Sequence, residues 1–227
     1  MASPQSPTSG DPPRICGVRV DDLLVGIVAV VLVLSGLRPF DRLTWWLEVS
    51  WVLAGLAIYP FVRRRSRPTL LLLSLLAVHA LLLIYGGAYT YARVPLGEWM
   101  RDWFGFDRNH YDRIGHLAQG FIPAILVREI LIRCRVVRGR AWLYVLVVSV
   151  CVAFSAVFEL IEMTAALLLG DGSIDYLATQ GDVWDAQKDI LCALIGANAA
   201  LLLLARAHDR AINRLRACSD GSGEPAA

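Results

Sequence analysis

Six apolar stretches of membrane-crossing length alternate with short polar segments along the chain. A helix needs about 20 residues to cross about 30 Å of hydrocarbon, and each stretch offers roughly that many. Backbone hydrogen bonds must be satisfied within a span, and the chain lacks the alternating pattern of barrel strands, so the pattern predicts helices. The predicted spans are 22–40, 43–62, 69–89, 111–132, 141–169 and 185–206.

The distribution of arginines predicts how these spans are oriented. Fourteen arginines lie in the N-terminal tail, the second and fourth connections and the C-terminal tail, whereas five lie in the opposite connections. Because basic residues accumulate on the cytoplasmic side, both termini are expected there. We therefore predict an all-α polytopic membrane protein: a six-helix transmembrane bundle over 21–206, a disordered cytoplasmic tail over 1–20 and a cytoplasmic tail over 207–227.

The amino-acid composition also indicates a membrane protein. Of the 227 residues, 56% are apolar and 19% are charged, with a mean hydropathy of +0.53 and a net charge of +2. These values exclude a soluble domain, a disordered chain and a nucleic-acid-binding protein. The five cysteines form no CxxC pair, which argues against thiolate metal or redox chemistry. The expected partner is the lipid bilayer.

A short amphipathic segment follows Pro95, between the third and fourth spans. Its apolar residues recur at i, i+3, i+4, i+7 and i+8, which is the pattern of one helix face. These residues are Leu96, Trp99, Met100, Trp103 and Phe104. We expect this helix to lie flat in the outer headgroup layer, where anchoring is favoured over a role as a gating lid.

Polar and charged residues form three stripes at i, i+3, i+4 or i+7 spacing, which puts each stripe on one helix face. Such groups are costly inside a span and usually mark function. The stripes are Asp112, His116 and Gln119 in span four; Ser155, Glu159 and Glu162 in span five; and Asp182, Asp185 and Asp189 at the start of span six.

These stripes meet at a common depth. With a rise of about 1.5 Å per residue, four residues lie about 6 to 10 Å outward of the centres of their spans. They are His116, Glu159, Glu162 and Asp189. Three more acids are predicted to lie nearer the outer surface, where they would line the entrance to the site: Asp112, Asp182 and Asp185.

The charge of this cluster predicts its chemistry. Six carboxylates against Arg113 and Lys188 leave a charge of −4 if all groups are ionised. Either some carboxylates take up protons or cations bind. A histidine with several carboxylates is a plausible set of ligands for a divalent metal, and we assign that role to His116, Glu159, Glu162 and Asp189. Asp112 or Asp185 would then act as general base or hold His116 in place.

Three further features of the sequence give weaker predictions. Ala193, Gly196, Ala197 and Ala200 predict a close helix contact in span six. His79 in span three is interpreted as a hydrogen-bonded packing residue. Arg128, near the inward end of span four, is expected to extend to the cytoplasmic headgroups.

The polar motifs resemble those of the YjdF-like family of bacterial inner-membrane proteins over about residues 20–206. This family is itself uncharacterised, so the resemblance implies a location in the inner membrane and an architecture but no reaction. The motifs are Tyr111-Asp112-Arg113-x-x-His116-x-x-Gln119-Gly120, Arg128-Glu129, Glu159-x-x-Glu162 and Gln180-Gly181-Asp182-x-x-Asp185-Ala186-Gln187-Lys188-Asp189.

A looser similarity is to VanZ-like membrane proteins, which are linked to glycopeptide-antibiotic tolerance. It rests on an early histidine in one span, an acidic residue in the next, and the segment 189–196 in the last. The VanZ pattern has Asn where Ala193 stands here. The similarity implies only a connection with the cell envelope.

Three functional hypotheses follow from the stripes. The first is a metal-dependent enzyme that acts on a lipid or lipid-linked envelope substrate at an outward-opening site. The second is a small cation- or proton-coupled transporter, although the six spans show no inverted repeat. The third is a non-catalytic scaffold in which the polar network sets the register of the helices. The oligomeric state and the substrate are not determined by these patterns.

Overall fold

The structure is a computed structural model that describes residues 14–15, 18–169 and 180–220. Two short strands, β1 (Arg14–Ile15) and β2 (Val18–Arg19), pair antiparallel at the start of this part. A 3-10 turn at Tyr91–Arg93 precedes the fourth helix. The helices are α1 (Val20–Leu37), α2 (Arg42–Arg65), α3 (Leu70–Tyr89), α4 (Pro95–Phe104), α5 (Tyr111–Arg133), α6 (Arg140–Leu169) and α7 (Asp185–Asp220).

Six of these helices, all except α4, are long and apolar enough to cross a membrane. Each coincides with a predicted span, so the prediction of six membrane helices is confirmed. Most bounds agree with the prediction to within three residues, and one end differs by more. Helix α1 ends at Leu37, before Pro39, and α7 continues to Asp220 instead of ending near residue 206. The extension of α7 contains no glycine or proline, so nothing in the local sequence stops the helix.

The predicted tails are described only in part. The predicted N-terminal tail contains the paired strands β1 and β2. In the predicted C-terminal tail, α7 continues as a helix to Asp220. Residues 1–13, 16–17 and 221–227 lie outside the described part, and so does 170–179 between α6 and α7.

Helix α5 lies at the centre of the bundle and packs against α3, α6 and α7. Its closest approach is to α7. A methyl group added at Gly120 would overlap the carbonyl oxygen of Ala193, and one added at Gly196 would overlap that of Leu117. Ala197 is fully buried beside them. The predicted close contact of small residues is therefore confirmed, and it holds the polar stripes of α5 and α7 in register.

A buried polar network joins α3, α5 and α7 at the end of the bundle where α5 ends. Glu129 accepts hydrogen bonds from the amide and hydroxyl of Thr69, at 3.0 and 2.7 Å, and lies 3.0 Å from Nε2 of His208. Arg128 lies 2.9 Å from Nδ1 of His208 and pairs with Asp209 at 2.6 Å. The expectation that Arg128 reaches the headgroups was wrong, because the unforeseen extension of α7 brings His208 and Asp209 beside it.

At the opposite end of the bundle, Asn109 joins α4 to the start of α5. Its side-chain amide donates to the carbonyl oxygen of Val94 at 3.0 Å and to Glu98 at 2.9 Å, and its Oδ1 accepts from the amide of Tyr111 at 3.0 Å. Oε1 of Gln180 accepts a hydrogen bond from the backbone amide of Asn109 at 3.0 Å, and its Nε2 donates one to the carbonyl oxygen of Asn109 at 2.9 Å. These bonds fix the position at which α5 enters the bundle.

Helix α4 forms over Pro95–Phe104, as its periodicity predicted. Large rings on its apolar face are exposed: Trp99 by 55%, Trp103 by 74% and Phe104 by 66%. Gly105 ends the helix in the left-handed conformation, with φ at 67°. An exposed aromatic face of this kind is suited to the headgroup layer of a membrane.

Candidate functional site

The polar stripe of α5 is buried at the centre of the bundle. The amide of Tyr111, the first residue of α5, donates to Oδ1 of Asn109. Two turns of helix then bring Asp112, His116 and Gln119 to the same face. Each of these three side chains belongs to a residue that is at most 8% exposed. The stripe therefore faces protein and not lipid.

The stripe of α6 faces α5 across the site. Ser155 is fully buried, Glu162 is 8% exposed, and the side chain of Glu159 is 11% exposed. The ring of Phe158, which directly precedes Glu159, meets the ring of His116 edge-on at 5.9 Å. The three polar side chains of α6 thus lie on the side of the helix that packs against α5.

Near the start of α7, basic side chains form salt bridges with the acidic residues at the mouth of the site. Asp185 accepts a hydrogen bond from Arg108 at 2.7 Å and pairs with Arg113. Asp182 lies 2.6 Å from Nζ of Lys188, and this bond, with one from the amide of Trp184, lowers the pKa of Asp182 to about 2. Asp182 and Asp185 therefore hold basic side chains at the mouth of the site.

Three carboxylates surround Nε2 of His116. Oε1 of Glu159 lies 3.5 Å away, Oδ1 of Asp112 lies 3.6 Å away, and Oδ1 of Asp189 lies 4.0 Å away. Asp112, His116 and Asp189 can each offer one ligand atom, with all three atoms within 4.8 Å of one another. We call Asp112, His116 and Asp189 the trio.

Several buried polar atoms around the trio find no hydrogen-bond partner within the described part of the chain. Among them are Oδ1 of Asp189 and Oε1 of Glu159, the atoms that face His116. The others in this region are Nδ1 of His116, Oε1 of Gln119 and Oγ of Ser155. Buried polar atoms are nearly always satisfied, so this concentration indicates a place where water or an ion binds.

Glu162, which the sequence grouped with the metal ligands, lies outside the trio. It lines a cavity of about 420 Å³ together with Glu48 of α2 and with Asp112 and His116. Depth along the helix put Glu162 and Asp189 at one level, but depth alone does not give the distance between two helices. The structure groups Asp112 with the metal-capable residues in its place.

Two charged residues outside the three stripes also lie at the site. Arg108, from the connection before α5, pairs with Asp185. Glu48 shares a helix face with the buried Trp45, Val49 and Val52, and that spacing is the sequence signal that could have placed it inside. Counting both, seven acidic and three basic side chains surround the site, so the formal charge remains −4.

His79 of α3 also lines the cavity, and its Nε2 has no hydrogen-bond partner among the described residues. The ring therefore contributes an unpaired nitrogen to the wall of the cavity, and a hydrogen bond at its other nitrogen stays a prediction.

The comparisons with known proteins agree with this architecture. Residues 21–210 match a family described as "Predicted membrane protein (DUF2238)". The chain is 45% identical over 187 residues to a protein of Escherichia coli (strain K12) named "Inner membrane protein YjdF", which covers 82% of this chain and 90% of the relative. No solved structure matches the chain. The chain belongs to this family of membrane proteins, as its motifs predicted.

Proposed function

Taking membership of this membrane-protein family as the premise, we propose that the chain is a metal-dependent enzyme that acts on a lipid or lipid-linked envelope substrate. Asp112, His116 and Asp189 bind the divalent cation, and Glu159 acts as the general base. The observation that supports the proposal is the convergence of three carboxylate oxygens on Nε2 of His116, two of them without a hydrogen bond from the described residues.

The distances around His116 suit a shared cation better than hydrogen bonds. Hydrogen bonds from ring nitrogen to oxygen are about 2.7 to 3.2 Å long, and the three contacts of 3.5, 3.6 and 4.0 Å are longer. Two ligands about 2.1 Å from one ion lie about 3.0 to 3.5 Å apart, so Asp112 and Asp189 would each have to move toward His116 by about 0.5 Å or less. Small side-chain adjustments would therefore complete a metal site.

The surrounding charges support the same assignment. Arg113 contacts Asp189 and lies 3.8 Å from Asp112, so one basic side chain serves two acids of the trio. Glu159 has no basic partner other than His116 among the described residues. A divalent cation would compensate the remaining negative charge without requiring a further basic residue.

Bound there, a divalent cation would supply Lewis acidity and lower the pKa of a coordinated water. The residues of the chain have distinct tasks around it. Glu159, 3.5 Å from Nε2 of His116 and with Oε1 unpaired, is placed to accept a proton. Asp185 is less suited to that role than the sequence suggested, because two guanidinium groups hold it; it positions Arg113, which in turn orients Asp189.

The cavity supports a lipid as the substrate. It joins the polar groups of the site to an apolar wall formed by α1, α2 and α3, and its volume of about 420 Å³ is within the usual range for small ligands. Trp51, Ile58 and Phe154 line it and are 41%, 57% and 38% exposed, so it opens on the lipid-facing side of the bundle. We place the site toward the outer leaflet, since the arginine-rich ends of the helices lie at the other end of the bundle.

The metal content of purified protein tests the proposal. The protein is extracted in detergent, offered Mg²⁺, Mn²⁺, Ca²⁺, Fe²⁺ or Zn²⁺, and analysed by mass spectrometry after removal of unbound ions. We expect about one tightly bound ion per chain. His116→Ala and Asp189→Asn should lose it, whereas Glu159→Gln should keep it and lose turnover of extracted lipids.

His110→Ala is the matched control, because His110 stands at the start of α5 and packs against Phe106 at 4.8 Å, outside the trio. It should retain the metal. Wild-type protein without stoichiometric metal under all five ions would overturn the proposal. If such protein instead carried a pH-dependent cation flux in liposomes, the transporter hypothesis would replace it.

A further inference from the structure

The polar end of the cavity consists mainly of hydrogen-bond acceptors. Carboxyl groups come from three helices: Glu48 from α2, Asp112 from α5 and Glu162 from α6. Glu48 is 3% exposed and Glu162 is 8% exposed. Neither belongs to the trio, so the metal proposal leaves both without a role.

A further acceptor at this end has no partner. Oε1 of Gln119 accepts no hydrogen bond from the described residues, although Gln119 is only 8% exposed. It lines the cavity. A ligand that satisfied it would have to present a hydrogen-bond donor.

The chain provides little positive charge here. Neither Glu48 nor Glu162 forms a salt bridge with a basic side chain among the described residues, and the phenol of Tyr91 lies near Glu48. Tyr91 is a neutral donor: burial, reinforced by the nearby carboxylate of Glu48, raises the pKa of its phenol well above the ordinary value. Of the three acids at this end, Arg113 approaches only Asp112, at 3.8 Å.

Aromatic rings stand next to these acids. Trp51 meets Phe154 edge-on with ring centroids 5.4 Å apart, and Phe158 lies 6.4 Å from Trp51. All three rings line the cavity. Aromatic faces and carboxylates together attract organic cations, because both present negative potential to the ligand.

The rest of the cavity is long and apolar. Along α2 it extends from Glu48 to Val62, which is about 21 Å at 1.5 Å per residue. A cavity of that length can hold an alkyl chain. Val28, Val52 and Leu56 form part of this apolar wall.

We infer that the cavity binds an amphiphile with an ammonium headgroup, the ammonium lying between Glu48 and Glu162 and the alkyl chain lying along α2. The ammonium would satisfy the acceptors and the apolar wall would cover the chain. As a statement about binding, this inference does not require the metal. If the proposed enzyme is correct, it names the class of substrate.

Quenching of tryptophan fluorescence tests the inference. The protein is kept in micelles of dodecyl maltoside, whose headgroup carries no ammonium, and is freed of metal with a chelator. It is titrated with 6-bromohexylamine, with the corresponding alcohol and with the corresponding carboxylate, because a short chain keeps the bromine near Trp51, one helix turn from Glu48. The bromine quenches Trp51 when the chain occupies the cavity, and Trp51→Phe identifies that part of the signal. We expect the amine to bind at least about tenfold more tightly than the alcohol, and the carboxylate more weakly still.

Variants separate the headgroup from the chain. Glu48→Gln and Glu162→Gln should remove the preference for the amine but keep binding of the alcohol, whereas Glu98→Gln, on the exposed helix α4, should change nothing. Gly55 lines the cavity, and a methyl group there would meet no atom within 4 Å, so Gly55→Phe should fold and block all three probes.

The outcomes are distinguishable from failure of the metal proposal. Asp189→Asn should lose the metal and keep the preference for the amine. Equal affinity for amine and alcohol in the wild type would overturn the inference and indicate protonated carboxyl groups that accept a neutral lipid. Absence of Trp51 quenching by any probe would overturn it as well.

Discussion

Asn109 shows how a single side chain can fix the entrance of the site without belonging to it. It is fully buried. Its side chain donates hydrogen bonds to Val94 and Glu98 at the start of α4 and accepts one from the amide of Tyr111 at the start of α5. Nothing in the sequence pattern distinguished it, because it stands in a short polar connection between two helices. Its importance comes from contacts that only the folded chain makes.

Replacing Asn109 by Ala should lower the free energy of unfolding by about 1 to 3 kcal/mol, because the carbonyl of Val94 and the amide of Tyr111 lose buried partners. Thermal unfolding in detergent measures the loss. Asn213→Ala, at an exposed position of α7, is the control and should leave the transition unchanged. Equal stability of the two variants would show that the hydrogen bonds of Asn109 contribute little.

At the scale of helices, the close approach of α5 and α7 brings the metal-capable residues of the site together. Asp112 and His116 lie on one helix and Asp189 on the other, and they meet because Gly120 and Gly196 leave no side chain between the two backbones. The small residues of α7 predicted this contact. The partner helix and the register did not follow from them, since several spans contain glycine.

Gly196→Ala should separate α5 from α7, because the added methyl group would overlap the carbonyl of Leu117. We expect a loss of about 1 to 3 kcal/mol in stability and a weaker hold on the divalent ion. Gly26→Ala in α1 meets no atom within 4 Å, so it should be neutral or slightly stabilising. Thermal unfolding and metal content of the two variants, compared side by side, give the answer; metal retention by Gly196→Ala would argue against the trio.

At the scale of the whole molecule, the helix ends rich in arginine gather at one end of the bundle. Asp22 at the start of α1 pairs with Arg63 at the end of α2, and Arg133 at the end of α5 donates to the carbonyl of Arg67 at 2.6 Å. Glu129 of α5 and His208 of α7 meet at this same end. Both ends of the described chain therefore lie on one side of the bundle, and the positive-inside rule predicts that this side faces the cytoplasm.

Reporter fusions test this orientation in cells. Green fluorescent protein fused after residue 227 should fluoresce, because it folds in the cytoplasm. Alkaline phosphatase inserted after Gly105, in the connection that follows α4, should be active, because it folds only outside the inner membrane. A dark C-terminal fusion together with an inactive phosphatase insertion would invert the bundle and put the mouth of the site on the cytoplasmic side.

The sequence by itself determined the six membrane helices, the amphipathic helix α4, the three polar stripes and the family. Each of these depends on the spacing of residues along one segment, which periodicity and hydropathy report directly. The tertiary structure alone decided which stripes touch. It grouped Asp112 with His116 and Asp189, moved Glu162 to the cavity with Glu48, and brought Arg108 to Asp185. Such contacts depend on the distances and rotations between helices, and a one-dimensional pattern fixes depth and face but not which helix lies opposite.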